Sequence, residues 1–258
     1  MMTAPDQTQM LPKIPADLGG RLTGRTILIF GGTSGIGLAT AIQAKAVGAR
    51  VIVLGIDADR AAQAASDNGL AGWRVADVTR REQIEAAVAD IDHVDHLVFL
   101  AGTLTLGKVM EADIDTLRRP FEERIWGAVH AIRALGDRLA QDGSITFSSG
   151  TLSDRPNAFG TALLAATGAA VEALARALAL ELAPRRVNTL SPGPLDTGLR
   201  TKAMGQEADD AYVKHLNSIL PGGRIGTAQE AGAAVVFLMA NRFMNAATLN
   251  LDGASRLV

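Results

Sequence analysis

The stretch TILIFGGTSGIGLAT, Thr26–Thr40, constrains the fold more than any other part of the chain. Thr26–Phe30 is a short apolar run rich in β-branched and aromatic residues, which reads as a buried strand. A glycine-rich turn follows, and apolar residues then recur at helical spacing up to Gly48. Each glycine has a physical task in such a turn. Gly31 permits the tight bend, Gly35 lets the backbone approach a pyrophosphate, and Gly37 lets helix and strand pack closely. The helix N-terminus adds N–H donors and the positive end of a dipole. Thr33, Ser34 and Ile36 complete the candidate cofactor-binding turn.

Beyond this unit the pattern alternates. Strand-like runs stand at Arg50–Gly55, Gly72–Asp77, Asp95–Gly102, Ser144–Ser149, Arg186–Ser191 and Ala247–Asp252. Helical spacing is expected from Asp57, from about Arg80, over Asp113–Gln141, over Thr161–Ala183 and around Gln229–Ala240. Buried strands alternating with helices predict an α/β fold. The sheet is Rossmann-like, doubly wound and parallel, with helices on both faces. One domain is expected over 21–258, after a mobile N-terminal arm at 1–20. Pro192 to about Gly226 is the least regular stretch, and a long loop at a strand end is a candidate lid.

Composition narrows the partners. Net charge is −2 with no basic patch, so neither nucleic acid nor an anionic membrane is an expected partner. The chain has no cysteine, which excludes disulfides and thiolate metal sites and fits a reducing, cytoplasmic setting. No metal site is expected: His93 and His96 read as solvated residues at a loop–strand junction. The apolar stretches are short or interrupted, so no membrane span is expected. The first twenty residues lack the apolar run of a signal peptide.

The end of the second strand, VLGIDADR, would normally choose between NAD and NADP. An acidic residue there binds the ribose 2′-OH, and an arginine accepts the 2′-phosphate. Gly55 and Ile56 discriminate neither way. Asp57 could bind a ribose or cap the next helix, and Arg60 could reach a phosphate or face solvent. The cofactor is therefore NAD or NADP, with the choice open.

Together these segments resemble the short-chain dehydrogenase/reductase family, over nearly the whole chain from about Gly20. GGTSGIG resembles the family's TGxxxGIG turn. ADVT, Ala76–Thr79, resembles its D-V segment, which implies an adenine contact for Asp77 beside Val78. FLAG, Phe99–Gly102, stands where the family has NNAG, so Ala101 and Gly102 match and both Asn are lost. ELAPRRVNTLSPGPLDTGL resembles the strand-and-loop signature, which implies that Pro192, Gly193 and Thr197 lie beside the nicotinamide. LNLDGA resembles the terminal DGG segment.

The departures fall where the family keeps its chemistry. Aligned on Ala169–Glu172, the Tyr of the family's Y-x-x-x-K is Leu164, and its Lys is Gly168, while Thr167 replaces a Ser. Leu164 cannot transfer a proton and Gly168 cannot supply a charge, so the usual acid–base help, about 10²–10⁴ in rate, is absent as written. Two candidates remain for catalysis. Ser149 closes the fifth strand, with Thr151 as the alternative match. Arg124 stands at a helix position where the family has Asn, and could contact the nicotinamide ribose or an anionic substrate, or simply pair with Glu122, Glu123 or Asp154. Tyr212 and His215 lie in the candidate lid, where either could arrive as an acid on closure.

The resemblance implies an NAD(P)-dependent oxidoreductase with a non-standard active site, acting on activated acceptors such as a conjugated enone or iminium. The alternatives are a non-catalytic dinucleotide-binding or regulatory protein, and non-redox chemistry on the same scaffold. Phe99, Leu100, Trp126 and Leu164 suggest a small-molecule substrate that is fairly apolar. The resemblance also implies a homodimer or homotetramer.

Overall fold

The structure, a computed structural model, describes residues 20–258. The arm expected at 1–20 lies almost wholly outside the described residues. In chain order the first half comprises β1 (Thr26–Phe30), α1 (Gly35–Ala46), β2 (Arg50–Gly55), α2 (Ala58–Asn68), β3 (Gly72–Val75), α3 (Arg81–Ala87) and β4 (Val94–Phe99). Next come α4 (Ile114–Phe121), a π-helical turn (Glu122–Trp126), α5 (Gly127–Leu135), β5 (Leu139–Ser148) and α6 (Ala162–Glu181). The last third holds β6 (Arg186–Pro192), β7 (Leu195–Asp196), α7 (Leu199–Met204), α8 (Gln206–Ile219), β8 (Gly226–Thr227), α9 (Ala228–Ala240) and β9 (Thr248–Leu251).

Seven strands form one sheet in the order β3-β2-β1-β4-β5-β6-β9, and every pairing is parallel. A parallel sheet needs cover on both faces, and two apolar cores supply it. One lies under α3, α5 and α6 and includes Phe30, Phe99, Ile84 and Val171. The other lies under α1 and α9 and includes Ile29, Val53, Ala41 and Val235. Strand order reverses at β1, which pairs with β2 on one side and β4 on the other. Such a reversal opens a crevice beyond the strands' carboxyl ends.

Three local expectations are corrected. The helix expected over Asp113–Gln141 ends at Leu135, because Gly136 takes φ +52°, and β5 begins at Leu139 rather than Ser144. Pro192–Gly226 is not irregular: it carries the helices α7 and α8. Buried Asp209 fastens them by accepting from Arg200 Nε at 2.7 Å and from the Thr201 hydroxyl. His96 is not solvated but buried in β4, with Nδ1 2.8 Å from Ser144 Oγ. By length and a hydropathy of 1.6, α6 could cross a membrane. Its apolar face, Leu164, Val171, Ala175 and Leu178, instead packs into the domain.

Candidate active site

The glycine turn packs as its residue types require. A Cβ on Gly37 would stand 2.1 Å from Gly31 O, so only glycine lets α1 sit this close to the turn. Ser34 is the N-cap of α1, yet its side chain makes no capping bond, which leaves its hydroxyl uncommitted beside the helix's first amides. The turn meets two other candidate segments. The space beside Gly31 is closed by Ala101, and that beside Gly35 by Thr197. Thr33 is buried against Gly55 at the end of β2. Asp57 caps α2, accepting from Arg60 N at 2.9 Å. Asp77 accepts from the amide and hydroxyl of Thr79 at 2.9 and 2.8 Å, and Val78 follows it with its carbonyl against Gly127.

Above these ends lies a cavity of about 680 Å³. Ile36, Pro192, Gly193 and Thr197 line it from the side of the glycine turn, and Arg124, Ser149, Leu164 and Gly168 from the other. Of the sequence-derived candidates, Ile36, Arg124, Ser149, Pro192, Gly193 and Thr197 line the cavity, whereas Gly31, Thr33, Ser34, Gly35, Gly37, Val78, Ala101 and Gly102 are not part of its lining, nor are Asp57 and Asp77 beyond the ends of β2 and β3. Tyr212 and His215 on α8 also line it, as does Thr151. The apolar wall differs from expectation. Phe99 is in the core, stacked on Phe30 at 5.1 Å, while Leu100 and Trp126 stand away from the cavity. Leu164 is joined instead by Leu104, Leu106, Phe159, Leu216 and Leu220.

Arg124 sits in the π-helical turn, a one-residue slip of a kind found often at functional sites. Its Nη2 donates to Thr103 O at 2.7 Å and its Nη1 lies 3.5 Å from Glu123 Oε2. The ion pair with Glu123, one of the expected alternatives, is therefore present. It is shared, because Glu123 also accepts from Arg119 Nε and Thr103 N, each at 2.7 Å. The buried Nη1 has no hydrogen-bond partner among the described residues. Burial lowers the guanidinium pKa, and Glu123 partly offsets this. Gly102 makes the position possible: a Cβ there would lie 2.6 Å from Arg124 Cζ.

Ser149 follows β5 and its amide donates to Leu190 O at 2.9 Å. Its Oγ donates to Glu172 Oε1 at 2.7 Å, and the same oxygen lies 3.1 Å from Ser153 Oγ. Beside Gly168 a Cβ would meet Ser153 Cβ at 3.3 Å. The turn Thr151–Ser153 thus occupies room that a longer side chain at 168 would need. Sequence reasoning offered Ser153 only as a third hydroxyl of the stretch with Ser149 and Thr151, and it missed the role of Glu172 and the π-helical turn. Glu172 reads from sequence only as part of a helix motif, and no spacing signals its meeting with a loop nineteen to twenty-three residues earlier.

Residues 31–254 match the family model described as enoyl-(acyl carrier protein) reductase. The galactitol 2-dehydrogenase (L-tagatose-forming) of Cereibacter sphaeroides is 35% identical over 247 residues, covering 90% of this chain and 95% of that one. The chain belongs to the short-chain dehydrogenase/reductase family. Its activity class is that of an NAD(P)-dependent short-chain oxidoreductase. A small-chain dehydrogenase solved in complex with NADPH superposes with a TM-score of 0.78 at 32% identity, covering 91% of this chain and all of the other. An apo short-chain oxidoreductase of Pseudomonas aeruginosa PAO1, described as containing an atypical catalytic center, superposes with a TM-score of 0.79 at 25% identity. It covers 90% of this chain and 97% of the other.

Proposed function

We propose that this short-chain dehydrogenase/reductase transfers hydride to or from a fairly apolar small molecule without the family's Tyr and Lys. The observation that carries this reading is the one cavity lined by the cradle residues Ile36, Pro192, Gly193 and Thr197 on one side and by the polar pair Arg124 and Ser149 on the other. The uncommitted Ser34 hydroxyl and the free amides at the start of α1 suit a pyrophosphate, so the residues present fit a nicotinamide dinucleotide. On this reading Gly31, Thr33, Gly35 and Gly37 shape the phosphate turn and Asp77, Val78, Ala101 and Gly102 hold the adenosine and ribose side. When bound, the dinucleotide supplies two electrons and a proton as hydride. Arg124 and Ser149 touch the substrate oxygen or the nicotinamide ribose, and the apolar wall selects the rest. The solved relative with an atypical centre supports a working site of non-standard composition.

Asp57 is occupied as a helix cap and Gly55 carries no acid, so neither excludes the 2′-phosphate of NADP. Titrating the purified protein with NADH and with NADPH, followed by fluorescence, chooses between them. A screen of enones, iminium compounds and alcohols then follows hydride transfer. Arg124→Met should weaken substrate or dinucleotide binding about tenfold or more, as loss of a charged hydrogen bond does. Unchanged dissociation constants would remove Arg124 from the site. Leu164 and Gly168 favour the second reading, a regulatory dinucleotide-binding protein. It is supported if one dinucleotide binds tightly and no substrate class turns over. We further propose a homodimer or homotetramer in a cytoplasmic setting. Half-exposed Trp126 and exposed Leu180 on the α4–α6 surface support the assembly, and sedimentation tests it.

A further inference from the structure

Ser149 is the polar side chain that the family pattern would turn toward a substrate carbonyl, but its proton is already committed. A hydroxyl has one proton and two lone pairs, and the Ser149 proton goes to Glu172 Oε1 at 2.7 Å. Ser153 Oγ lies 3.1 Å from that same oxygen and 2.7 Å from Gly150 O, so its single proton favours the backbone. Ser149 is left to present a lone pair to the cavity it lines. A group in that state accepts from a ligand O–H and has nothing to give a C=O. Arg124, on the same cavity wall, is a permanent cation able to stabilise an oxygen that is losing its proton.

We propose that Glu172 is the positioning residue that takes up the proton of an alcohol substrate through Ser149. The proposal rests on the oxidoreductase reading above. In the step, the carbinol C–H bond breaks and its electron pair leaves as hydride to an oxidised nicotinamide dinucleotide. The O–H bond breaks as its proton passes to Ser149 Oγ, and the Ser149 proton passes to Glu172 Oε1. A C=O bond forms, the alcohol is oxidised, the dinucleotide is reduced, and Glu172 ends as the acid. Partly exposed, it then returns the proton to water. The charged groups on the elements packed around it are Glu122, Glu123 and Arg124 of the π-helical turn, Asp115, Arg118 and Arg119 of α4, Arg176 and Glu181 of α6 itself, Asp142 of β5, Arg186 of β6, and Asp154 after the Thr151–Ser153 turn. Arg119 and Arg124 pair with Glu123, Asp154 pairs with Arg256, and among the described residues none pairs with Glu172.

The test does not need the natural substrate. Protein labelled with ¹³C in its glutamate carboxyls is titrated by NMR in complex with oxidised dinucleotide, then with the acid-stable tetrahydro analogue of the reduced form. Glu172 is assigned by the resonance missing from Glu172→Gln. The oxidised nicotinamide ring is cationic and the reduced ring neutral. A carboxylate serving that ring should therefore titrate about one pH unit lower in the oxidised complex. In parallel, Glu172→Gln should keep the dinucleotide Kd but lose about 10²-fold in oxidation of a panel of cyclic and aliphatic secondary alcohols, together with the acid limb of its pH profile. Coincident midpoints in the two complexes overturn the proposal while leaving the oxidoreductase reading intact. Failure of both NAD and NADP to bind overturns that reading, and this one with it.

Discussion

At the scale of single residues, the site is defined as much by atoms that are missing as by those present. Gly102 is open enough to lay the Arg124 guanidinium over its backbone, and Gly168 leaves room for Ser153. A design that simply writes back the family pair, Leu164→Tyr with Gly168→Lys, should therefore not regain the usual chemistry. The new lysine stem would start 3.3 Å from Ser153 Cβ, and crowding of this kind costs about 1–3 kcal/mol. Thermal unfolding should show the loss, and alcohol oxidation should not rise above the parent. A stable variant with restored turnover would show that the Thr151–Ser153 turn yields freely. This part of the site was only half legible in the sequence. The substitutions at 164 and 168 could be read by aligning a helix motif, whereas what fills the space depends on how a loop folds back, which no periodicity records.

Among the elements, the join between β6 and α9 depends on one buried cation. Arg186 opens β6 and its guanidinium donates to the carbonyls of Leu238, Asn241 and Met244 at 2.9, 2.9 and 3.0 Å and to that of Met239 at 2.6 Å. Leu238 and Met239 are among the orphan acceptors of the helix C-terminus, where a positive charge also meets the dipole's negative end, and Asn241 and Met244 belong to the turn that follows. Burial lowers the Arg186 pKa, and the four acceptors compensate for the lost water. Arg186→Met should leave them unsatisfied at a cost of about 3 kcal/mol. For a chain of this size that lowers Tm by roughly 10 °C in a thermal scan. A shift within about 2 °C of the parent would mean that water replaces the arginine. Element existence was well signalled by sequence, since β1, β2, α1 and α9 follow directly from apolar runs and helical spacing. The helices of the candidate lid were missed because the polar residues of Gln206–Ile219 make a largely solvent-facing helix, and its anchor, Asp209 held by Arg200 and Thr201, is a tertiary contact.

For the whole molecule, the sheet has two chemically different ends. The carboxyl ends of its strands carry the cavity. Near the opposite end, Asp95 accepts from Arg25 at 2.5 Å and from Thr26 N at 2.8 Å, and Asp142 accepts from Arg25 at 2.9 Å, tying β1, β4 and β5 together. His96 is buried beside this cluster. Burial, reinforced by Arg186, depresses its pKa from 6.5 to about 4. Between those two values the unfolded chain holds a proton that the folded chain refuses. Stability is therefore full above pH 6.5 and falls as the pH drops toward 4, by on the order of 3 kcal/mol. Urea unfolding of the parent and of His96→Asn at stepped pH checks this. The variant should show a flatter profile over that window, and parallel profiles would acquit the histidine. The doubly wound architecture was legible as a whole because strand–helix alternation and the glycine turn agree on it. The burial of His96 was not, because a histidine two residues into a strand looks the same in sequence whether it meets solvent or a serine hydroxyl. One earlier feature, the turn that has settled beside Gly168, also bears on how such a site can change over generations. A lysine regained there first meets Ser153, and a shortened turn gained first leaves a void beside a glycine. Either single step is unfavourable, so two chains alike in fold and cradle can stand close in sequence and still be divided by a ridge in fitness, crossed only when both changes arrive together.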